Sequence, residues 1–449
     1  MGIGGIGMSA LAQWFQAKGF KVGGYDKTST PLTQYLEKLN IDIHYDDKVG
    51  RIPTSFYKKN ETLVVLTPAI PLDNIERKYF ETENYNIVKR SKVLGLICKN
   101  QYTIAVAGTH GKTTTGSMIA HIFENAGMQP NAFIGGIMTN YNSNLLISQK
   151  KDTNTVCIVE ADEYDRSFLA LYPDIAVVTS ADADHLDIYG AHSELIQSFE
   201  DFISNIKNDG KLFINHSLTL RIPQYLSTLR YSTQLSDCYV DNLRIVNGNF
   251  IFDYVSQSCN ILQVQLVVPG IHNVSNAIAA MSVGLAYGIA PHLVKQGIES
   301  YKGVKRRFEY IIKSDRITFI DDYAHHPTEI EALLSAVKML YPTATITCVF
   351  QPHLYTRTRD FADGFSKSLS LANEVILLPI YPARELPIPG VSAQMLLNNI
   401  SSAKKCIMQK DEVVTHFANH HAEVILTVGA GDIDTVVTPL KNMLLQKYF

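Results

Sequence analysis

The chain has 449 residues, 46% of them hydrophobic and 18% charged, which is enough apolar material for about three packed domains. A formal net charge of −3 excludes a broad basic field, so nucleic acid is not expected as the main partner, and acidic ligands must be met by local groups. No apolar run approaches the roughly 18 residues of a membrane span and no charged segment precedes the apolar N-terminus, so the expected compartment is the cytoplasm and no membrane partner is expected.

At the N-terminus, Gly2-Ile-Gly4-Gly5-Ile6-Gly7-Met8 matches Gly-x-Gly-x-x-Gly, with the acidic Asp26 nineteen residues after Gly7. Such a loop lets the backbone approach a diphosphate at a helix N-terminus, and a nicotinamide dinucleotide and a nucleotide-sugar diphosphate both fit it. In dinucleotide-type domains a central strand precedes the glycine loop, but only Met1 precedes Gly2. The expectation is an N-terminally shortened chain with a vacant strand position. Strands are predicted over 20–26, 62–67 and 87–89, and helices over 9–18 and 31–39.

The most informative stretch follows. A β-branched and apolar run over 103–107 empties into Gly108-Thr109-His110-Gly111-Lys112-Thr113-Thr114. A glycine turn followed by Lys-Thr at a helix start is built to hold phosphate: backbone N–H groups and the helix N-terminus meet the oxygens, Lys112 supplies a cation, and the Thr113 hydroxyl can ligate Mg²⁺. Val106 stands where the common form of this loop has its first glycine, so the loop is a shortened variant.

The next predicted strand, over 156–160, ends in Glu160-Ala-Asp162-Glu163-Tyr164-Asp165, four carboxylates in six residues. Ligands collect at the carboxyl ends of parallel strands, and carboxylates there suit Mg²⁺, which takes hard oxygen ligands. The strand over 175–179 leads to Asp182-Ala-Asp184-His185-Leu-Asp187, where His185 fits either a ligand of a second metal or a turn cap. Short polar-alternating strands over 211–268, with Asn247-Gly248-Asn249 between two of them, predict an antiparallel excursion.

Helices return over 273–300, opening with Asn273 and Asn276, whose amides suit an adenine edge or a helix cap equally. A third unit begins near Gly303. It carries Lys305-Arg306-Arg307, in which an arginine can reach a transferring phosphoryl group, and Asp321-Asp322-Tyr323-Ala324-His325-His326-Pro327. Adjacent histidines point apart, so packing or binding is expected of that pair rather than zinc. Gln351-Pro-His353-Leu-Tyr-Thr-Arg357 follows an apolar strand, and Arg357 there suits bidentate capture of a carboxylate. The six cysteines, at 98, 157, 238, 259, 348 and 406, include no Cys-x-x-Cys, which fits free thiols rather than a disulfide framework.

In combination GIGGIGMS, GTHGKTTT, EADEYDRSFL, DADHLDIYG, PGIHNVSNA, GVKRRFE, DDYAHHPTE, FQPHLYTRTRD, YPAREL and VGAGDID run through almost the whole chain and resemble the Mur ligase family. The resemblance implies a three-domain α/β architecture: a Rossmann-like unit over 1–100, a central P-loop ATPase over 101–303, and a dinucleotide-fold-like unit over 304–449 that presents the amino acid. It implies an ATP-dependent, amide-bond-forming ligase of peptidoglycan precursor synthesis, with Mg²⁺, acting on UDP-N-acetylmuramate. Gly4, Gly5, Ile6, Gly7, Met8 and Asp26 would then serve the UDP-sugar rather than a nicotinamide. Residues 108 to 114, Asn273, Asn276 and Asp321 or Asp322 would serve ATP; Thr113, Glu160 and His185 the metal; Lys112, Glu160, His185 and Arg307 the chemistry; and His353 and Arg357 the amino acid.

Most family members carry a carbamoylated lysine some fifteen residues beyond the histidine matching His185, and no lysine occurs from His185 to Ile206. That departure implies the alanine-adding branch or the murein tripeptide-recycling branch, and the QPH and RSFL segments rank L-alanine first. Leu354 stands where some alanine-adding members have arginine. The alternative of another class is a catalytically silent nucleotide-binding protein.

Overall fold

The computed structural model describes residues 1–150, 155–183, 186–383, 385–402 and 404–449, except for the side chains of residues 186 and 187. The chain divides into two compact units: Met1–Val240 with Tyr254–Ile261 and Asn276–Ser300, and Asp241–Asp253 with Leu262–Ser275 and Tyr301–Phe449.

In the first unit, helix Ile6–Ala17 follows the glycine loop directly. Strand Gly23–Tyr25 pairs in parallel with Asp42–His44, and Leu63–Leu66 with Asn86–Lys89, as two separate two-stranded sheets. Met1, Gly2 and Ile3 lie between them. The Met1 ammonium donates to Val65 O (2.8 Å), and the N–H groups of Gly2 and Ile3 donate to Tyr25 O (2.8 and 3.1 Å). A cavity of about 270 Å³, lined by Ile3, Leu11, Val22, Val64 and Phe80 among others, adjoins them.

Strand Tyr102–Ala107 centres a larger sheet. It pairs in parallel with Val156–Ala161 on one side and Ile175–Val178 on the other. Beyond Val156–Ala161 lies Asn131–Met138, also parallel where the two pair. These strands are nearly continuous buried apolar runs, as sheets covered on both faces require. One covering layer packs Phe168 against Phe202, stacked at 5.1 Å, with Phe199 edge-on at 5.4 Å. The expected antiparallel excursion is corrected at its start: Lys211–Asn215 and Ser227–Tyr231 extend the sheet in parallel, and Tyr231 pairs in parallel with Cys238. Alternating polarity marks a strand with one wet face and does not fix its direction. The turn signal does hold: Asn247 and Gly248, both at positive φ (51° and 75°), join the neighbouring strands Cys238–Val246 and Asn249–Ser256 as a tight hairpin.

The second unit holds a six-stranded sheet. Thr318–Asp322, Val424–Val428, Ile346–Phe350, Glu374–Leu377 and Lys404–Ile407 are parallel in that spatial order, and Glu309–Lys313 closes one edge antiparallel to Thr318–Asp322. Helix Pro327–Leu340 starts with proline at its first position and His326 as its cap, Nδ1 accepting from Thr328 N–H at 3.3 Å. One of the adjacent histidines is therefore structural.

Candidate active site

Strand Tyr102–Ala107 ends in Gly108 at φ 138°, and Gly111 takes φ 82° immediately before helix Lys112–Asn125. A β-carbon on Gly108 would lie 2.9 Å from the backbone nitrogen of Ser180, so only glycine passes this point. The end of the neighbouring strand braces the loop: His110 N–H donates to Ser180 Oγ (2.7 Å), the Thr179 hydroxyl to His110 O (2.5 Å), and Asp182 N–H to Thr109 Oγ1 (3.0 Å). Asn276 Oδ1 accepts from the Thr115 hydroxyl at 3.1 Å and lies where a β-carbon on Gly111 would be 2.8 Å away. Thr114 is buried, and its carbonyl accepts from Ser117. The first-turn N–H groups of the helix lack intrahelical partners and carry the positive end of its dipole, an arrangement that suits an anion such as a polyphosphate.

Two carboxylates from the acidic turn reach this loop. The Thr113 hydroxyl donates to Glu160 Oε2 at 3.0 Å, and Gly135 N–H donates to Glu160 Oε1 at 2.5 Å. A β-carbon on Gly135 would fill the cradle of that carboxylate, 2.6 Å from Oε2. Lys112 Nζ donates to both oxygens of Glu163 (2.9 and 2.7 Å) and to Gly108 O (2.5 Å). Burial pulls the Lys112 ammonium down, but the charges of Glu163 and Asp162 outweigh it and hold the group above the ordinary lysine range. Asp184 and His185 lie outside the described residues.

In the N-terminal loop, Gly4 N–H donates to Asp26 Oδ2 at 2.8 Å, so the acidic residue downstream of the glycines binds the loop itself. Gly5 caps the helix that begins at Ile6, and Met8 is buried in it. Gly7 faces the guanidinium of Arg90, whose Nη2 donates to Asp162 Oδ2 at 2.9 Å.

The remaining candidates sit in the second unit. Asn273 Nδ2 donates to Pro269 O at 2.6 Å. Asp321 accepts from Arg306 Nε (3.0 Å) and the Thr427 hydroxyl (2.6 Å). Asp322 accepts from the N–H groups of Phe308 (2.6 Å) and Ala324 (2.7 Å), and burial pushes its carboxyl up to about 6 against the pull of Arg307 and those two donors. Arg307 pairs with Glu329 at 3.5 Å and lies over the Tyr323 ring at 5.2 Å. Glu329 also meets His325 Nδ1 (3.3 Å), whose ring is 6.2 Å from that of His353; His353 stacks on Tyr381. Arg357, on helix Tyr355–Asp360, is buried.

The first unit thus brings together residues 108–114, Glu160 and Asn276, and the second links Arg307 to His353 through Glu329 and His325. Sequence reasoning missed Glu163, Arg90 and Glu329. Glu163 lies in the acidic run the sequence singles out, but nothing in that run tells which acid faces the lysine.

The Mur ligase family catalytic domain matches residues 1–102, the Mur ligase middle domain 106–284, and the Mur ligase glutamate ligase domain 306–436. The chain is 47% identical over 450 residues to the UDP-N-acetylmuramate–L-alanine ligase of Parabacteroides distasonis, covering 100% of this chain and 97% of that one. It is 48% identical over 444 residues to that of Flavobacterium johnsoniae, covering 99% and 97%. Among solved structures, the UDP-N-acetylmuramate-alanine ligase of Thermotoga maritima superposes with a TM-score of 0.83 at 27% identity, covering 99% of this chain and 98% of that chain. A murein peptide ligase from Psychrobacter arcticus, at 21% identity and TM-score 0.72, shares the fold. With all three of its domains matched in order and close relatives aligned from end to end, the chain belongs to the Mur ligase family.

Proposed function

We propose that this chain joins L-alanine to the carboxylate of UDP-N-acetylmuramate with cleavage of ATP to ADP and phosphate. The observation that carries the reading is the phosphate loop at the end of Tyr102–Ala107, with Lys112, Thr113 and Glu160 gathered on it. The identity to alanine-adding relatives and the absence of lysine from His185 to Ile206 support the choice of amino acid.

In this reading the backbone of residues 108–113 and Lys112 orient the β- and γ-phosphates. The muramyl carboxylate attacks the γ-phosphorus, ADP leaves, and an acyl phosphate forms. The free amine of alanine then attacks the activated carbonyl, and collapse of the tetrahedral species releases phosphate and leaves an amide. Arg307 stabilises the transferring charge. Asn273 and Asn276 serve the adenine, Asp321 or Asp322 the ribose, His353 and Arg357 the alanine, and residues 4–8 with Asp26 the UDP moiety.

The Thr113 hydroxyl and Glu160 carboxylate, 3.0 Å apart, are hard oxygens that fit Mg²⁺: Thr113 would hold one ion, and Glu160 with His185 a second. Bound there, Mg²⁺ supplies charge neutralisation on the phosphate oxygens. Domain boundaries near 100 and 303 and a cytoplasmic location complete the proposal; no helix among the described residues is long and apolar enough to cross a membrane.

The test is ADP release by the purified chain. Turnover should require UDP-N-acetylmuramate and L-alanine together. Release independent of either, or preferential incorporation of L-Ala-γ-D-Glu-diaminopimelate when both acceptors compete, would overturn the reading.

A further inference from the structure

Glu163 is fully buried, yet it is an acid, and the phosphate-loop lysine lies against it. Its two oxygens take two contacts from Lys112 Nζ, at 2.9 and 2.7 Å, while the same ammonium donates to Gly108 O at 2.5 Å. The lysine is therefore held between its own loop and the acidic turn. The turn is built to aim that acid. Asp165 and Arg166 both take positive φ (50° and 59°), a strained path for non-glycine residues. The Glu163 carbonyl is fixed from two sides, by Arg166 N–H at 2.9 Å and by the Tyr189 hydroxyl at 2.5 Å.

A lysine ammonium on a flexible stem has three donors and many rotamers, and a phosphate alone fixes it poorly. A buried carboxylate that meets the ammonium through both oxygens selects one arrangement before nucleotide arrives: the oxygens lie too close together to take two diverging N–H bonds and share one donor, Gly108 O takes another, and the third is left for phosphate. It also subtracts a charge from the loop, so polyphosphate meets a lysine whose attraction is partly spent.

We infer that Glu163 is a positioning residue for Lys112: its buried carboxylate fixes the ammonium in the geometry used on the transferring phosphate, at some cost to nucleotide affinity in the ground state. This rests on the ATP-dependent ligase reading above. The expected signature is a split between affinity and rate, because an interaction that orders the transition state while opposing ground-state binding lowers kcat and tightens nucleotide when removed.

The experiment compares the parent with Glu163→Gln, which keeps the shape and one acceptor oxygen but not the charge. Turnover is followed by ADP release, and affinity by equilibrium titration with ADP, which needs no chemistry. The expected result is a kcat at least tenfold lower with an ADP Kd about threefold tighter and an unchanged KM for L-alanine. A Kd that weakens along with kcat would mean that Glu163 only supports the fold of the loop, and a kcat within twofold of the parent would mean that it does not position the lysine; either overturns the inference.

A second arm uses Lys112→Ala. Removing the ammonium leaves the buried acid without that partner, so the urea midpoint should fall, and Glu163→Gln in the same background should raise it again and change the residual turnover by less than twofold. Additive losses of stability in the double variant would overturn the pairing. If the parent shows no substrate-dependent turnover, the ligase reading fails, while the ADP titration and the urea midpoints still decide whether Glu163 governs Lys112.

Discussion

Arg90 Nη2 donates to Asp162 Oδ2 at 2.9 Å, and the same guanidinium lies over Gly7, so a single side chain spans the N-terminal glycine loop and the acidic turn beside the phosphate loop. The two side chains remain 23% and 38% exposed, which limits their direct worth to stability to about 1 kcal/mol or less. Their consequence should be kinetic. Arg90→Ala should raise the KM for UDP-N-acetylmuramate several-fold and that for ATP by a smaller factor. A double-mutant cycle on kcat/KM with Asp162→Ala should return a coupling of about 1 kcal/mol; additivity within about 0.3 kcal/mol would show that the contact carries nothing between the loops.

Gly108→Ala tests the seat itself. Its φ of 138° is costly for any L side chain, and the added β-carbon would press on the Ser180 nitrogen and the Thr179 hydroxyl that braces His110. Strain of this kind costs about 1–3 kcal/mol, and it falls on the loop rather than on the core. The expected outcome is a modest drop in urea midpoint with ADP binding weakened at least tenfold. Retention of parental ADP affinity by a folded variant would show that the loop does not hold nucleotide.

Asp322 predicts a pH dependence of stability. Burial raises its folded carboxyl from 3.8 to about 6, so between those values the folded chain binds more protons than the unfolded one. Stability from this group is therefore present at low pH and lost as pH rises through 6, by about 1 kcal/mol between pH 5 and 7. Asp322→Ala removes that slope along with the bonds to Phe308 and Ala324. Urea midpoints of parent and variant at both values check it: the gap between them should be larger at pH 5 than at pH 7, and a gap independent of pH would show that the carboxyl is not perturbed.

How much of this was legible beforehand varies with range along the chain. The glycine loop is legible because its signal is local: strand, glycines, Lys112 and Thr113 are contiguous, and the loop lies between the end of the strand and the start of the helix. The carboxylates of the 160–165 turn were readable as a group but not as individuals. That Glu160 meets Thr113 while Glu163 meets Lys112 depends on the path of the turn through Asp165 and Arg166, which no periodicity encodes. Arg90 lies 72 residues from Asp162 and gave no signal at all. The strand directions after residue 211 are not legible for a similar reason, since polarity alternation reports burial of one face and parallel pairing is decided by a partner far away in sequence. Lys112 shows the same gap from the other side: in the sequence it has only phosphate to bind, and the structure gives it a buried acid as well.

In the proposed reaction the amino-acid end is assigned to Arg357. It is buried on the short helix Tyr355–Asp360, after a strand end and just past Leu354, whose φ of 69° is a strained turn into that helix. A guanidinium at such a place presents a planar fork that matches the α-carboxylate of an amino acid, and hydrogen bonds to charged groups are worth about 1.5–3 kcal/mol. Arg357→Ala should accordingly raise the KM for L-alanine by about 10- to 100-fold while leaving the KM for ATP within about twofold. Arg357→Lys keeps the charge but not the fork, and should fall between the two. Because loss of a buried side chain can also reduce the folded fraction, the comparison is of the two KM values within one preparation, which a smaller active fraction does not alter. Equal changes in both would remove Arg357 from the alanine site and leave it a part of the core.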